Sequence, residues 1–218
     1  MTTSEHQKRS ERLCKWQRVA KQYLQLFGLG LSSSFSMIAP SGPDRFRFLS
    51  ECLIPTLREH GYIVVFTKLG DNPDAPHLAL LESLERSIRD LDEGPEVTDR
   101  SNKLHEPVIS AAVSPESDRA LETTPAKNMH LLLLDDYMSE LEHQKSGRTI
   151  LIVDNFDRLA DSPAFDSLTY ALRTQLDKRR GTMLSLLVGS SNQQMSRLLK
   201  DRRSAFYHFA TDLPAPEF

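Results

Sequence analysis

The run Thr149-Ile150-Leu151-Ile152-Val153-Asp154-Asn155-Phe156-Asp157 decides the fold. Five β-branched or aliphatic residues in succession read as a strand buried on both faces, and such strands belong to parallel sheets covered by helices. The strand runs straight into two acids and an amide, at the carboxyl end where open α/β sheets keep their ligand crevices. Downstream, Ser162-Pro163 supplies an N-cap followed by proline at the first helical position, and Phe165, Leu168, Leu172 and Leu176 recur at helical spacing. Lys178-Arg179-Arg180 closes that helix and complements its dipole. Met183 to Val188 reads as a second buried strand, ending in Gly189-Ser190-Ser191-Asn192. Met195, Leu198 and Leu199 then mark a short helix leading to Asp201-Arg202-Arg203, and Phe206 to Ala210 is expected as the last strand.

Upstream, Leu133, Tyr137 and Leu141 make a helical stripe from Met129 to near Gly147. Asp92 to Ala126 has no periodicity, four prolines, and eight acids against three bases, so a mobile acidic insertion of net charge −5 is expected. His77 to Leu91 is an amphipathic helix, and Tyr62 to Phe66 and Ser33 to Ala39 are strands. Between those strands comes the turn Pro40-Ser41-Gly42-Pro43-Asp44 and a helix carrying Phe46, Leu49, Leu53 and Leu57. Gly61 ends this helix, and Pro55 predicts a kink or an earlier end. Strand, helix, strand calls for right-handed crossovers and a parallel sheet. At the start of the chain, Leu13, Trp16, Ala20, Tyr23, Leu24 and Phe27 form one helical face, and Gly28 stops the helix. The other face carries Lys8, Arg9, Arg12, Lys15, Arg18 and Lys21 against Glu5 and Glu11, a local charge of +4. The expected divisions are a basic helix over 1–28, a first half-domain over 29–91, the insertion over 92–126 and a second half-domain over 127–218.

The 218 residues are 39% hydrophobic and 26% charged with a formal net charge of −3, which suits one domain with extras and excludes both a whole-molecule basic field and a disordered acidic chain. Cys14 and Cys52 are too few for a disulfide framework or a zinc site, and Cys52 falls on an apolar stripe. The histidines show no ligand spacing, so no metal site is expected. No apolar run reaches a membrane span and the first residues lack a signal peptide's apolar core, so a cytoplasmic protein without membrane insertion is expected. CxxC, HExxH, GxSxG and an intact GxxxxGK[ST] are all absent.

The turns after Ala39, Val153 and Val188 resemble, in this order, the phosphate loop, the metal-and-base motif and the first sensor of AAA+ ATPases. The nearest likeness is to bacterial and archaeal members of the replication-initiator and signal-transduction types. It is strongest from Leu168 to Pro214, over Leu-Thr-Tyr-Ala-Leu-Arg-Thr-Gln-Leu-Asp-Lys-Arg-Arg, Leu-Val-Gly-Ser-Ser and Asp-Arg-Arg-Ser-Ala-Phe-Tyr-His-Phe-Ala. The resemblance implies a P-loop NTPase fold: a three-layer αβα domain with a mostly parallel five-stranded sheet. Against GxxxxGK[ST], however, the chain reads Ala39-Pro40-Ser41-Gly42-Pro43-Asp44-Arg45-Phe46. Asp44 would set a negative charge beside the phosphates, two prolines remove N–H donors, Arg45 keeps a cation without lysine's shape, and Phe46 has no oxygen for magnesium. Asp154 stands where the resemblance implies a magnesium-supporting acid, but the next position, a water-activating glutamate in the family, is Asn155, and an amide is no base. Asp157, on a turn or helix, is expected to point elsewhere. Ser190, Ser191 and Asn192 stand as a polar sensor or as turn formers. Arg202 and Arg203 stand where the family places an arginine finger, or as solvated charges. The chain stops at Phe218, so no helical lid is expected.

These readings favour a catalytically inactive AAA+-like domain, a pseudo-ATPase that binds proteins, for which no cofactor is expected, serving as an adaptor to an AAA+-like neighbour or a multiprotein machine. Two alternatives stand beside it. One is a DNA-associated subunit that binds ATP and magnesium weakly and lends Arg202 or Arg203 to a neighbour. The other is a nucleic-acid binder without nucleotide that uses Arg12, Lys15, Arg18 and Lys21, with salt-sensitive binding as its signature.

Overall fold

A computed structural model describes residues 3–72, 74–92, 125–143 and 147–218. Five strands, β1 (Ser34–Ile38), β2 (Ile63–Lys68), β3 (Thr149–Asp154), β4 (Met183–Gly189) and β5 (Thr211–Leu213), form one sheet in the order β2-β3-β4-β1-β5. Every pairing is parallel, with Leu151 opposite both Val65 and Ser185, and Ser34 opposite Ser185. Parallel neighbours need crossovers, and the helices supply them on both faces. On one face lie α1 (Thr3–Gly28) and the segment α2 (Pro43–Arg47), a π-helical turn (Phe48–Leu53) and α3 (Ile54–Glu59). On the other lie α4 (Pro76–Asp92), α5 (Pro125–His143), α6 (Asp166–Lys178) and α7 (Asn192–Lys200). The alternation of a strand sorts its residues between these layers: Ile150, Ile152, Leu184 and Leu186 face the first, and Leu151, Val153, Met183 and Leu187 the second. The three-layer αβα architecture is therefore that expected from the sequence.

Several local expectations change. Pro55 neither ends nor breaks its helix. The turn ahead of it widens, with Ile54 N–H donating to Leu49 O five residues back, and this accommodates the pyrrolidine ring that a regular α-turn would press against a carbonyl. The helix expected from Met129 begins at Pro125, where proline suits the first turn, and ends at His143. The acidic insertion otherwise lies outside the described residues. Ser162 caps as expected, accepting from Ala164 N–H, but it opens a 3₁₀ turn (Pro163–Phe165) before α6 begins.

The last strand is not Phe206 to Ala210. That segment is a series of turns, His208 taking a left-handed conformation, and the strand is Thr211–Leu213 beside β1. Phe206 and Phe209 are both buried and stack edge-on at 5.1 Å, and Phe206 also meets Phe156 at 4.9 Å. Residues three apart share a side in a turn, whereas a strand would aim them at opposite faces. The Arg173 guanidinium covers the Phe209 ring at 4.1 Å and donates to Ala205 O.

Arg179 does more than complement a dipole. Its side chain is 0% exposed and clips α5 to α6: Nη2 sits 2.6 Å from Asp135 Oδ1 and donates to Ser139 Oγ, Nε lies 3.0 Å from Glu142 Oε2, and Nη1 donates to Gln175 Oε1. Its bond to Asp135, helped by Lys178, holds that carboxyl below the usual range. On the opposite face α1 is strapped by residues 214–218. Trp16 Nε1 donates to Glu217 O, Tyr23 Oη to Pro214 O, and the Phe218 ring lies 5.9 Å from Trp16 and 6.2 Å from Phe48. Removing both acids (Asp135→Ala with Glu142→Ala) strands a buried guanidinium, with an expected loss of about 3–5 kcal/mol by urea unfolding; a loss below about 1 kcal/mol would contradict the clip. The stabilisation from Asp135 is present above the ordinary carboxylate range and fades as pH falls through its depressed value. The gap between parent and Asp135→Asn therefore narrows in acid.

Candidate functional site

The carboxyl ends of β1, β3 and β4 converge, as the sequence expects of a crevice. Ala39 N–H donates to Gly189 O at 2.9 Å, joining the exits of β1 and β4, and Pro40, Ser41 and Gly42 form an exposed loop into α2. Pro43 at the first helical position starts α2, and Gly42 O accepts from Phe46 N–H. This short turn sends Arg45 inward and its neighbours outward. Asp44 turns away from the crevice and pairs with Arg12 at 2.8 Å, so it sets no charge inside the loop. Phe46 is half-exposed, its ring 6.4 Å from Phe66.

Arg45 is 3% exposed and its donors are directed into the protein. Nη1 donates to Ala39 O at 3.0 Å, and Nη2 donates to Asn155 Oδ1 at 2.6 Å. Nη2 also lies 3.0 Å from Asp154 Oδ1, an ion pair whose two side chains are each 3% exposed. The pair is close but not aligned as a hydrogen bond, so Coulomb attraction alone links them. Burial pushes the Asp154 carboxyl above its usual range. The Arg45 charge pulls it back down, with smaller help from the Asn155 backbone and Lys68.

Asn155 is fitted to this place. It has a left-handed backbone (φ 55, ψ 38) at the start of the 3₁₀ turn Phe156–Ala160, a conformation asparagine tolerates better than glutamate does. A Cβ on Gly70 would come within 2.5 Å of Asn155 Nδ2, so the glycine leaves room for the amide. The amide thus sits between Gly70 and Arg45, with its oxygen on the guanidinium. Ala39 O and Gly70 are members of the site that the sequence motifs do not single out; a glycine two residues past a buried strand is the available signal.

Asp157 points elsewhere, as expected, and its destination is the neighbouring turn. Buried to 4% exposure, its Oδ2 accepts from Ser190 N–H and Ser190 Oγ at 2.9 Å and from Ser191 N–H at 2.8 Å. Ser191 Oγ in turn accepts from Gln194 N–H and caps α7. A Cβ on Gly189 would press into Met195 and meet Asp157 Cβ at 3.2 Å, so glycine there allows this close approach. Ser190 and Ser191 therefore act as turn and cap residues, and Asn192 is exposed. Arg202 and Arg203 are exposed in the turn after α7 and form no side-chain bond with this cluster.

Tested against a magnesium nucleotide, the side chains do not fit. The oxygen-bearing acid is taken up by Arg45, the cation that would face a phosphate is buried on protein acceptors, and position 46 offers a ring instead of a hydroxyl. Among the described residues no group of three metal-ligating side chains converges, and no helix is long and apolar enough to cross a membrane.

No protein-family model matches the chain, and no curated protein sequence does. Solved structures do match its fold. The ORC1 protein of Aeropyrum pernix, determined in complex with DNA, aligns over 95% of this chain and 45% of its own at 13% identity and a TM-score of 0.53. The ORC2 protein of Aeropyrum pernix, in its ADPNP-ADP complexes, aligns over 92% and 47% at 15% identity and 0.53. CDC6P of Pyrobaculum aerophilum aligns over 89% and 44% at 15% identity and 0.50. The chain spans less than half the length of these neighbours. At such identities the likeness is one of fold alone: a three-layer αβα domain with a parallel five-stranded sheet, shared with part of each of these ORC and CDC6P structures.

Arg45→Ala leaves Asp154 buried without its cation, and the expected loss is about 3–5 kcal/mol by urea unfolding at pH 8. With the lowering charge gone, the Asp154 carboxyl titrates higher still, so the penalty is small while the group is protonated and grows as pH rises through its value. The loss is therefore smaller at pH 5 than at pH 8; a pH-independent loss would rule out a charged Asp154 as its cause.

Proposed function

We propose that this chain is a pseudo-ATPase: an AAA+-like domain that closes its own phosphate site and works as a protein-binding subunit or adaptor, beside an AAA+-like neighbour or in a larger machine. One observation carries the reading. The Arg45 guanidinium is buried on Asp154, Asn155 Oδ1 and Ala39 O, occupying with protein acceptors the role a phosphate would take. A P-loop cation has to face the crevice to neutralise phosphate oxygens, and turning Arg45 outward would leave Asp154 buried and unpaired. The remaining departures agree: Asn155 in a left-handed turn supplies an acceptor and no base, Phe46 no metal oxygen, and Ser190 donates to Asp157. No cofactor is assigned to this domain, and we place the protein in the cytoplasm.

A second reading is supported by Arg202 and Arg203, both exposed and without a side-chain partner among the described residues. In it the chain binds nucleotide weakly, associates with DNA as the Aeropyrum pernix ORC1 protein does, and lends one of these arginines to a neighbour's site.

Titration with Mg·ATP separates the two. A dissociation constant of about 10 µM would, at about 1 mM nucleotide, add about 2.7 kcal/mol and raise the melting temperature by several degrees. The pseudo-ATPase reading expects no shift and no saturable heat; micromolar binding overturns it in favour of the second. Asn155→Glu is expected to cost about 1–2 kcal/mol through its left-handed backbone and to yield no hydrolysis.

A further inference from the structure

The structure divides the basic face of α1. Arg12 is neutralised by Asp44, while Lys15, Arg18 and Lys21 are exposed and have no ion-pair partner among the described residues. Several other surface cations stand against carboxylates: Arg47 with Glu51, Lys68 with Asp71, Arg89 with Glu85 and Arg158 with Asp161. Arg58, Arg86, Arg197, Arg202 and Arg203 are unpaired among the described residues but do not form a row on one helix face. At about 100° per residue, Arg18 points directly away from the buried face of Trp16, Ala20, Tyr23 and Phe27, with Lys15 and Lys21 flanking it about 60° to either side. The three cations climb the helix in steps of about 4.5 Å. Gln22 and Gln25 are exposed between and beyond them, and Glu11 is the acid on the same face.

We propose that this face of α1 binds the phosphate backbone of a nucleic acid duplex. The choice of partner follows from what the face lacks. Protein interfaces are anchored by aromatic or aliphatic side chains at their centre, yet from Lys15 to Gln25 the face exposes no large apolar residue; the exposed Leu26, Leu29 and Leu31 begin past its carboxyl end. Long cations and glutamines with no apolar anchor are the groups that contact phosphate and sugar without reading bases. The helix is also rigidly presented. Its inner face is sealed on the sheet, and Trp16 and Tyr23 are bonded to residues 217 and 214. Holding the helix backbone in place this way leaves only the cationic side chains to be ordered on binding. The site is independent of the Arg45 cluster and needs no nucleotide.

Anisotropy of a fluorescent duplex of about 20 base pairs and arbitrary sequence, titrated with the full chain, tests it. Three phosphate contacts give a log–log salt slope of about −2.7, so binding is expected to weaken about 40-fold between about 50 and about 200 mM salt. Replacing all three cations together, Lys15→Gln with Arg18→Gln and Lys21→Gln, is expected to abolish that slope and to weaken binding at the lower salt by at least about tenfold. The charge-matched control Arg89→Gln, Arg158→Gln and Arg180→Gln is expected to stay within about twofold of the parent. Arg18→Gln alone lowers the slope by about one and serves should the triple variant melt differently. Absence of duplex binding by the parent, an equal loss in the control, or tighter binding of a labelled poly-glutamate peptide than of the duplex overturns the proposal, the last assigning the face to an acidic protein.

Discussion

A guanidinium keeps its charge at every pH a cell presents, so a chain that buries one must surround it with acceptors or lose the fold. Arg45 sets that constraint at the carboxyl ends of β1 and β3, and the neighbouring residues answer it. Asp154 brings the opposing charge, Asn155 adopts a left-handed backbone that delivers its amide oxygen, Ala39 offers a carbonyl, and Gly70 stands aside to admit the amide. Burial alone would favour a neutral Asp154; the arginine draws it back toward the carboxylate. The residues that depart from a nucleotide-binding pattern thus form a set with its own internal chemistry. Arginine serves here better than lysine, because its planar fork donates to two acceptors, Ala39 O and Asn155 Oδ1, while its charge stands against Asp154.

The same device recurs across the sheet. Arg179 is buried between α5 and α6 on Asp135, Glu142, Ser139 and Gln175, so a second charged pivot joins the helices of the other layer. The Asp157 carboxylate performs the mirror task, gathering the donors that the β4–α7 turn would otherwise leave unpaired. In these clusters Asp154 Oδ1 and Arg179 Nε are buried without an aligned hydrogen bond and rely on ion pairing alone, with Arg45 and Glu142 respectively.

Most of the sheet is legible in the sequence because its strands are buried on both faces and read as continuous apolar runs, Thr149 to Val153 most clearly. Local spacing likewise places the core faces of α1, α4 and α6. What it does not reveal depends on distance along the chain: Arg45 meets Asn155 110 residues away, and Arg179 meets Asp135 44 residues away. Both look like surface cations, since an arginine's burial is set by partners that no local window contains. The Phe206 to Ala210 segment misleads for a different reason. Its aromatic composition suits a strand, but the two rings have to share one side, and a turn alone permits that. At the crevice, the positions of Arg45, Asp154 and Asn155 are legible from the order of the turns, whereas the direction of the Arg45 side chain is not.

Those directions also separate the two charged features of the molecule. The cation at the crevice is spent internally, and Lys15, Arg18 and Lys21 of α1 face water with no carboxylate against them among the described residues. Whether the crevice is closed from within is open to direct observation by nitrogen-detected NMR of the Arg45 guanidinium during titration with Mg·ATP. Held on Asp154, Asn155 and Ala39, its Nη protons should exchange slowly and its resonances stay in place to millimolar nucleotide. A saturable shift of those resonances, with the guanidinium released to solvent or to phosphate, would contradict the account.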